Sequence, residues 1–134
     1  MNFGDFIIKY SGQPVDTDGA YGYQCMDLMH KFKYDVLNLL DPTLLQAPAA
    51  KYVYLNFRAE WGTYFEKIPN TPTGVPKAGD IVLWNGIDGH VAIFVNGNVM
   101  DFISFDQNFP VGSLPHTQYH NYYNVLGWLR KRVI

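Results

Sequence analysis

The sequence predicts an α+β fold, with N-terminal helices packed on an antiparallel β-sheet. Three observations predict it. Apolar residues recur at helical spacing through the first third of the chain. A stretch dense in Pro, Gly and Asn, residues 69–79, then breaks that pattern. Beyond it come short apolar runs of strand character, two of them flanking Asn96-Gly97, a strong signal for a tight hairpin.

The elements follow in order. Phe3, Phe6, Ile7 and Tyr10 make one apolar helical face, with Gly12 as the stop signal. A polar loop runs from Gln13 to Gly22. Cys25, Leu28, Met29, Phe32, Val36, Leu39 and Leu40 then mark a second helix, with Cys25 at its N-terminus on the core-facing side and Asp41-Pro42 ending it. Residues 48–68 read as helix or helical turns, broken near Gly62. Residues 69–79 join two halves of a single domain, 1–134, because neither half carries enough apolar residues to bury a core alone. Strands are expected at Asp80–Trp84, at His90–Val95, after a type I′ turn at Asn96-Gly97 in Val99–Ser104, and at Val125–Val133, which carries Trp128.

Composition excludes several classes. Hydrophobic residues make up 48% of the chain and charged residues 16%, so it is not a disordered segment. A net charge of −2 gives no electrostatic footprint for nucleic acid. No apolar run is long enough to span a bilayer, and Met1-Asn2-Phe3-Gly4-Asp5 lacks the basic and apolar regions of a signal peptide. With 10 Tyr, 9 Phe and 3 Trp, the chain has aromatics for a core and for the walls of a groove.

The single cysteine cannot form an internal disulfide, and it lies where a helix begins. The thiolate, not the thiol, is the nucleophile, and a helix N-terminus favours it through the positive end of the dipole and its free N–H groups. His90 opens an apolar strand and can present its imidazole at the sheet edge facing that helix end, to take the thiol proton and later deliver it to a leaving amine. A lone cysteine is more often a small buried hydrophobe, and a strand-end histidine is often merely solvated. Of the other histidines, His30 is expected on the solvent face of the second helix. His116 and His120 fall in a Pro/Asn/Tyr-rich loop, at most a weak metal pair without a third ligand.

Four segments occur in order: Gln24-Cys25-Met26-Asp27-Leu28 opening a helix, Pro76-Lys77-Ala78-Gly79-Asp80-Ile81-Val82-Leu83-Trp84, Gly89-His90-Val91-Ala92-Ile93, and Phe105-Asp106-Gln107-Asn108-Phe109. Together they resemble CHAP domains, the cysteine, histidine-dependent amidohydrolases/peptidases of bacteriophage lysins, closest to those of phages of staphylococci and related Gram-positive bacteria. The resemblance covers nearly the whole chain and implies a papain-like (NlpC/P60-type) fold. It implies Cys25 as nucleophile and His90 as general base and acid. Asp106, where the closest relatives have Glu, would orient the imidazole, with Asn108 as a polar neighbour of His90 or substrate. Gln24 would supply a side-chain oxyanion donor beside the Cys25 backbone N–H.

Asp16 to Asp27 is a twelve-residue segment with aspartates at positions 1, 3 and 12, and calcium-binding loops of that length draw on positions 1, 3, 5, 7 and 12. Positions 5 and 7 are Ala20 and Gly22, which offer only carbonyls. Tyr21 stands where an EF-hand has Gly, and Gln13-Pro14 argues against an entering helix. An ordinary Asx-turn loop is the alternative. The resemblance implies a structural Ca²⁺ held by Asp16, Asp18, Ala20, Gly22 and Asp27, stiffening the loop that sets the helix bearing Cys25.

The implied substrate is Gram-positive peptidoglycan, cut as an endopeptidase of D-Ala–Gly type in preference to an N-acetylmuramoyl-L-alanine amidase. Tyr23, Trp84, Phe109 and Tyr119 are candidate groove walls. The protein is expected to be a monomer, without nucleic-acid partner or membrane insertion. It would reach the wall as part of a larger lysin chain or a virion tail, or be released from the host cytoplasm. Arg130-Lys131-Arg132 reads as a solvated strand end. The rival readings are an NlpC/P60 cysteine peptidase, whose nucleophile usually has an Asp-Cys-Ser context, and a non-catalytic, calcium-stabilised wall-binding module.

Overall fold

A computed structural model describes residues 1–19 and 22–133. Helices α1 (Phe3–Tyr10), α2 (Cys25–Asp35) and α3 (Ala50–Leu55) and a short 3₁₀ helix (Ala59–Thr63) precede strands β1 (Phe65–Pro69), β2 (Ile81–Trp84), β3 (His90–Gly97), β4 (Asp101–Asp106), β5 (His116–Asn121) and β6 (Val125–Lys131). The strands form one sheet in the order β1-β6-β2-β3-β4-β5, and every neighbouring pair is antiparallel. The α+β expectation holds.

The two faces of the sheet carry different apolar sets. Ile81, Leu83, Val91, Ile93, Phe105 and Leu129 join Phe6, Leu28, Met29, Phe32 and Val53 of the helices in the main core. The alternate residues, Val82, Trp84, Ala92, Phe94, Phe102, Val125 and Trp128, form a second, smaller cluster. Burial on both sides explains why β2 is a continuous apolar run rather than an alternating one. The helix face is knit by rings: Phe32 meets Phe3 edge-on at 5.2 Å and Phe6 at 5.6 Å. Asn2 caps α1 by accepting from the Asp5 amide at 2.8 Å.

Asp80 is held at the entry to β2 by two partners. Its Oδ2 accepts from the Lys77 amide at 2.7 Å and from Arg130 Nη2 at 2.7 Å. It thereby closes the turn into β2 and ties β2 to β6. Arg130 is thus a structural cation rather than a solvated strand end, and Arg132 Nε donates to the Gly62 carbonyl at 2.8 Å.

Several boundaries differ from expectation. Helix α2 stops at Asp35, not Leu40. Asn38 takes a positive φ of 56°, and the buried Lys33 ammonium donates to the carbonyls of Asp41 at 2.9 Å and Leu44 at 2.7 Å, which folds the chain back. Residues 65–69 are strand, because they find β6 as a partner. The hairpin turn lies beyond Asn96-Gly97. Both residues pair within the ladder, opposite Ile103 and Phe102, while Asn98 Oδ1 accepts from the amides of Met100 at 2.8 Å and Asp101 at 3.2 Å. Gly97 serves close packing, since a Cβ there would stand 2.4 Å from that of Phe102. The segment holding His116 and His120 is strand β5, not loop.

Candidate functional site

Cys25 is the first residue of α2 and is partly buried, with Gln24 as N-cap in extended conformation. The Asp27 carboxylate reaches back to accept from the Gln24 amide at 2.8 Å, the N3 half of a capping box. The helix therefore starts where the sequence places the thiol, with the first-turn N–H groups gathered around it.

His90 begins β3, an interior strand, so its imidazole emerges at a strand end rather than at the lateral edge of the sheet. Gly89 before it has φ +76°, and a Cβ there would lie 2.6 Å from the Lys51 backbone nitrogen and 2.7 Å from the Trp84 carbonyl. Only glycine lets the chain pass between α3 and β2 to set up the histidine. The antiparallel β3–β4 pairing brings Asp106, the last residue of β4, to the same end of the sheet.

There His90 Nε2 donates to Asp106 Oδ2 at 2.7 Å. Asp106 is fully buried, and the same Oδ2 accepts from His120 Nε2 at 2.9 Å, while Oδ1 takes the Ser104 hydroxyl. Burial opposes charge on both partners, but contact overrides it. Desolvation pulls the His90 imidazole down, while Asp106 and Cys25 push it up more strongly, to about 9. Burial pushes the Asp106 carboxyl up, and hydrogen bonds from His120 and His90 hold it below the ordinary carboxylate range. Because Nε2 is taken by Asp106, the ring's other nitrogen is the one available to the sulfur. Phe109 packs on the His90 ring at 4.8 Å between centroids.

Cys25 and His90 line one open cleft of about 1320 Å³. Its walls also include Tyr23, Gln24, Ala49, Asp88, Asn108 and Phe109.

Beside the thiol, Asp16, Asp18 and Asp27 each offer an oxygen, and these atoms lie within 4.8 Å of one another. Asp27 is buried and already accepts from Thr17 Oγ1 at 2.8 Å, while Asp16 accepts from the Gly19 amide at 2.9 Å. A converging set of hard oxygen donors suits Ca²⁺ in kind, and each carboxylate oxygen has a second lone pair. Gly22 lines the cleft with Asp18 and Asp27, and Ala20 lies outside the described residues.

The chain is 30% identical over 129 residues to endolysin PlyTW of Staphylococcus phage Twort, a match spanning 87% of this chain and 26% of that protein. It is 30% identical over 118 residues to endolysin LysK of Staphylococcus phage K, covering 83% of this chain and 23% of that one. The fold superposes on the crystal structure of the wild-type endolysin LysIME-EF1 with a TM-score of 0.74 at 27% identity, over 97% of this chain and 64% of the other. This chain is a homologue of phage endolysins. It spans about a quarter of the length of the curated relatives it matches. No family model matches it.

In this endolysin homologue the residues singled out from sequence do not all meet. Cys25, His90 and Asp106 converge. Asn108 does not reach His90. Its Nδ2 donates to Gln24 Oε1 at 3.0 Å and its Oδ1 accepts from the Gly112 amide at 2.7 Å, so it fixes the Gln24 amide and its own turn. Tyr23 and Phe109 line the cleft. Trp84 is buried behind His90 at 5.0 Å, and Tyr119 is 66% exposed on the other face of β5 from His120. His30 is buried, not solvent-facing, and burial drives its imidazole down to about 4. His116 and His120 are not a metal pair: His116 Nδ1 faces the Leu114 carbonyl at 2.8 Å, and His120 faces Asp106.

Three residues at the site escaped the sequence reading. His120 and Ser104 hold the Asp106 carboxylate. The available signal for His120 was the period-two alternation of His116, Gln118 and His120 with Thr117, Tyr119 and Asn121, which marks a strand. Gln107 is fully buried and clamps the two halves of the site. Its Oε1 accepts from the Val15 amide at 2.9 Å, and its Nε2 donates to the carbonyls of Val15 at 2.8 Å and Gln24 at 2.7 Å. Nothing local marks Gln107 apart from its place between two polar neighbours.

Proposed function

We propose that residues 1–134 are a single CHAP-type catalytic domain, of an endolysin or a tail-associated lysin, that hydrolyses an amide or peptide bond of Gram-positive peptidoglycan through Cys25. The observation that carries the reading is the meeting of a lone cysteine at a helix N-terminus with a histidine whose far nitrogen is held by a buried carboxylate. The kinship with endolysins supports the substrate class.

The chemistry follows from the geometry. His90 takes the Cys25 proton, its own affinity for protons raised by Asp106 and by the sulfur beside it. The sulfur attacks the carbonyl carbon. The resulting oxyanion takes hydrogen bonds from the Cys25 backbone N–H and the Gln24 side-chain amide, whose oxygen end is fixed by Asn108. Collapse breaks the C–N bond, and the imidazolium gives its proton to the departing amine, leaving a thioester. A water, deprotonated by His90, attacks the thioester; the acid product leaves and the thiol is regenerated. Asp106 holds the imidazole in one tautomer and orientation and offsets its charge.

The cleft is open and about 1320 Å³ in volume, which leaves room for a peptide substrate. An endopeptidase of the D-Ala–Gly type is favoured over a muramoyl-L-alanine amidase, on the family resemblance. Ca²⁺ is the proposed occupant of the Asp16, Asp18 and Asp27 cluster, with carbonyls of Ala20 and Gly22 completing its shell. It would supply rigidity to the loop before α2, since a hard cation is a poor partner for thiolate sulfur.

The test is loss of turbidity of purified Gram-positive walls, with mass spectrometry of the released fragments to identify the bond. Wild type is expected to clear walls, and Cys25→Ala to be inactive while still folded. Clearance by Cys25→Ala at the wild-type rate refutes the nucleophile assignment. Binding without cleavage by both proteins marks a wall-binding module instead.

A further inference from the structure

We infer that His120 is a positioning residue for His90, acting through the Asp106 carboxylate that both imidazoles share. This rests on the hydrolase reading above but is carried by geometry of its own.

A buried carboxylate held by a single imidazole can swing about its terminal bond, carrying that ring's orientation with it. Here it cannot. Asp106 Oδ2 accepts from His90 Nε2 at 2.7 Å and from His120 Nε2 at 2.9 Å, and Ser104 occupies Oδ1. The three donors come from three neighbouring strands, β3, β4 and β5, so the carboxylate is triangulated by the sheet itself. His120 is equally confined. Its side chain is nearly buried, and its ring lies 4.8 Å from Trp84, 5.5 Å from Phe102 and 5.8 Å from Phe109. Phe109 and Trp84 also pack on His90, so one aromatic cage fixes both imidazoles.

His120 is not among the cleft-lining residues, whereas His90 is. Its polar contact is with the group that His90 leans on, and it acts on the reaction through that group. Its Nε2 must carry a proton to donate, which makes it a fixed donor in the ground state. A neutral ring suffices for that role. A well-oriented base matters because small misplacements of a reacting group cost large factors in rate.

Two substitutions separate the hydrogen bond from the packing. His120→Phe keeps a ring against Trp84, Phe102 and Phe109 but removes the donor. His120→Gln can return an amide N–H near the position of Nε2. On a soluble muropeptide, His120→Phe is expected to lower kcat roughly 10- to 100-fold with KM little changed, and His120→Gln to recover most of the loss. Wild-type kcat in His120→Phe overturns the inference, as does equal damage in both variants at equal Tm.

A second readout does not depend on catalysis. Proton NMR of the wild type is expected to show two strongly downfield imidazole N–H resonances, one from each ring on Asp106, with His120→Phe removing one and displacing the other. A His90 resonance unmoved in His120→Phe overturns the inference even if the protein proves not to be a hydrolase. Loss of the hydrolase reading, with both resonances behaving as described, leaves the pairing intact and removes only its catalytic meaning. Should His120→Phe fail to fold, the wild-type spectrum and that of His120→Gln decide it: absence of a second downfield imidazole resonance in the wild type refutes the pairing.

Discussion

The site is assembled from two halves that are built differently. The strand half, His90, Asp106, Ser104 and His120, is buried and closed by side-chain hydrogen bonds among adjacent strands. The helix half, Gln24 and Cys25, stands on a loop whose Asp16 and Asp18 are exposed and whose internal ties are short-range, such as Asp16 to Gly19 and Asp27 to Thr17. The base is therefore placed by the sheet, whereas the nucleophile is placed by a helix start that must be held in register with it. Gln107 does that holding, reaching from the end of β4 to Val15 and to the Gln24 carbonyl. The contrast assigns orientation to one half and adjustability to the other.

The largest effect is expected from breaking the strand half at its centre. Asp106→Ala leaves two imidazoles without their acceptor, and about 3–5 kcal/mol of stability should be lost in denaturant unfolding. Asp106→Asn is milder for the fold but should lower kcat by roughly two to four orders of magnitude in the wall-hydrolysis assay, because the amide can present a donor where His90 needs an acceptor. Near-normal turnover of Asp106→Asn would show that orientation of His90 comes from elsewhere.

Cutting the tie between the halves comes next. Gln107→Ala strands the Val15 amide and carbonyl and the Gln24 carbonyl, which should cost about 1–3 kcal/mol. If Gln107 sets the register, kcat falls further than in surface variants of equal Tm. A drop in Tm with unchanged kcat would reduce it to a stabilising contact.

The helix half is sharpened by calcium. Saturating Ca²⁺ at about 100 times its Kd should add roughly 2.7 kcal/mol of stability, read as a rise in Tm that chelation reverses. Asp16→Asn with Asp18→Asn should abolish that rise while leaving the Asp106 cluster untouched. A melting temperature indifferent to both calcium and chelator would make the loop an Asx-turn structure only.

The last test is a pH slope, and its sign is definite. The His90 pKa is raised by folding, from 6.5 to about 9, so its contribution to stability is complete below pH 6.5 and disappears as pH rises through about 9. Asp106 is depressed, so its contribution is present above its ordinary pKa of 3.8 and lost as pH falls through the lowered value. Tm is expected to decline on going from pH 6.5 to 9, and this decline should be shallower in Asp106→Asn. An identical slope in the two proteins would detach His90 titration from the carboxylate.

Much of the helix half was legible in sequence because its determinants are local. Cys25 sits at a helix start whose N3 carboxylate is Asp27, and the aspartates of the preceding loop are near neighbours along the chain. The strand half was legible only where a strand announces itself by an apolar run. His90 and Asp106 lie at the ends of such runs; His120 lies on an edge strand whose composition is polar on both faces and so resembles a loop despite its period-two burial. The displaced hairpin turn and the early end of α2 failed for a related reason. Asn98 forms an Asx turn one residue beyond the Asn-Gly pair, a competing local signal, and Lys33 satisfies carbonyls eight and eleven residues on, which no propensity encodes.

Local chemistry by itself determined the two-layer α+β plan, the helix that begins at the cysteine, and the strand that begins at His90. Those follow from periodicity, capping and glycine placement, which act over a few residues. The tertiary structure decided what meets what: that one carboxylate serves two imidazoles, that Gln107 bridges sheet to loop, and that Asn108 holds Gln24 instead of His90. Strand order and register bring these distant segments together, and they are set by burial of two apolar faces at once, a cooperative property of the whole sheet.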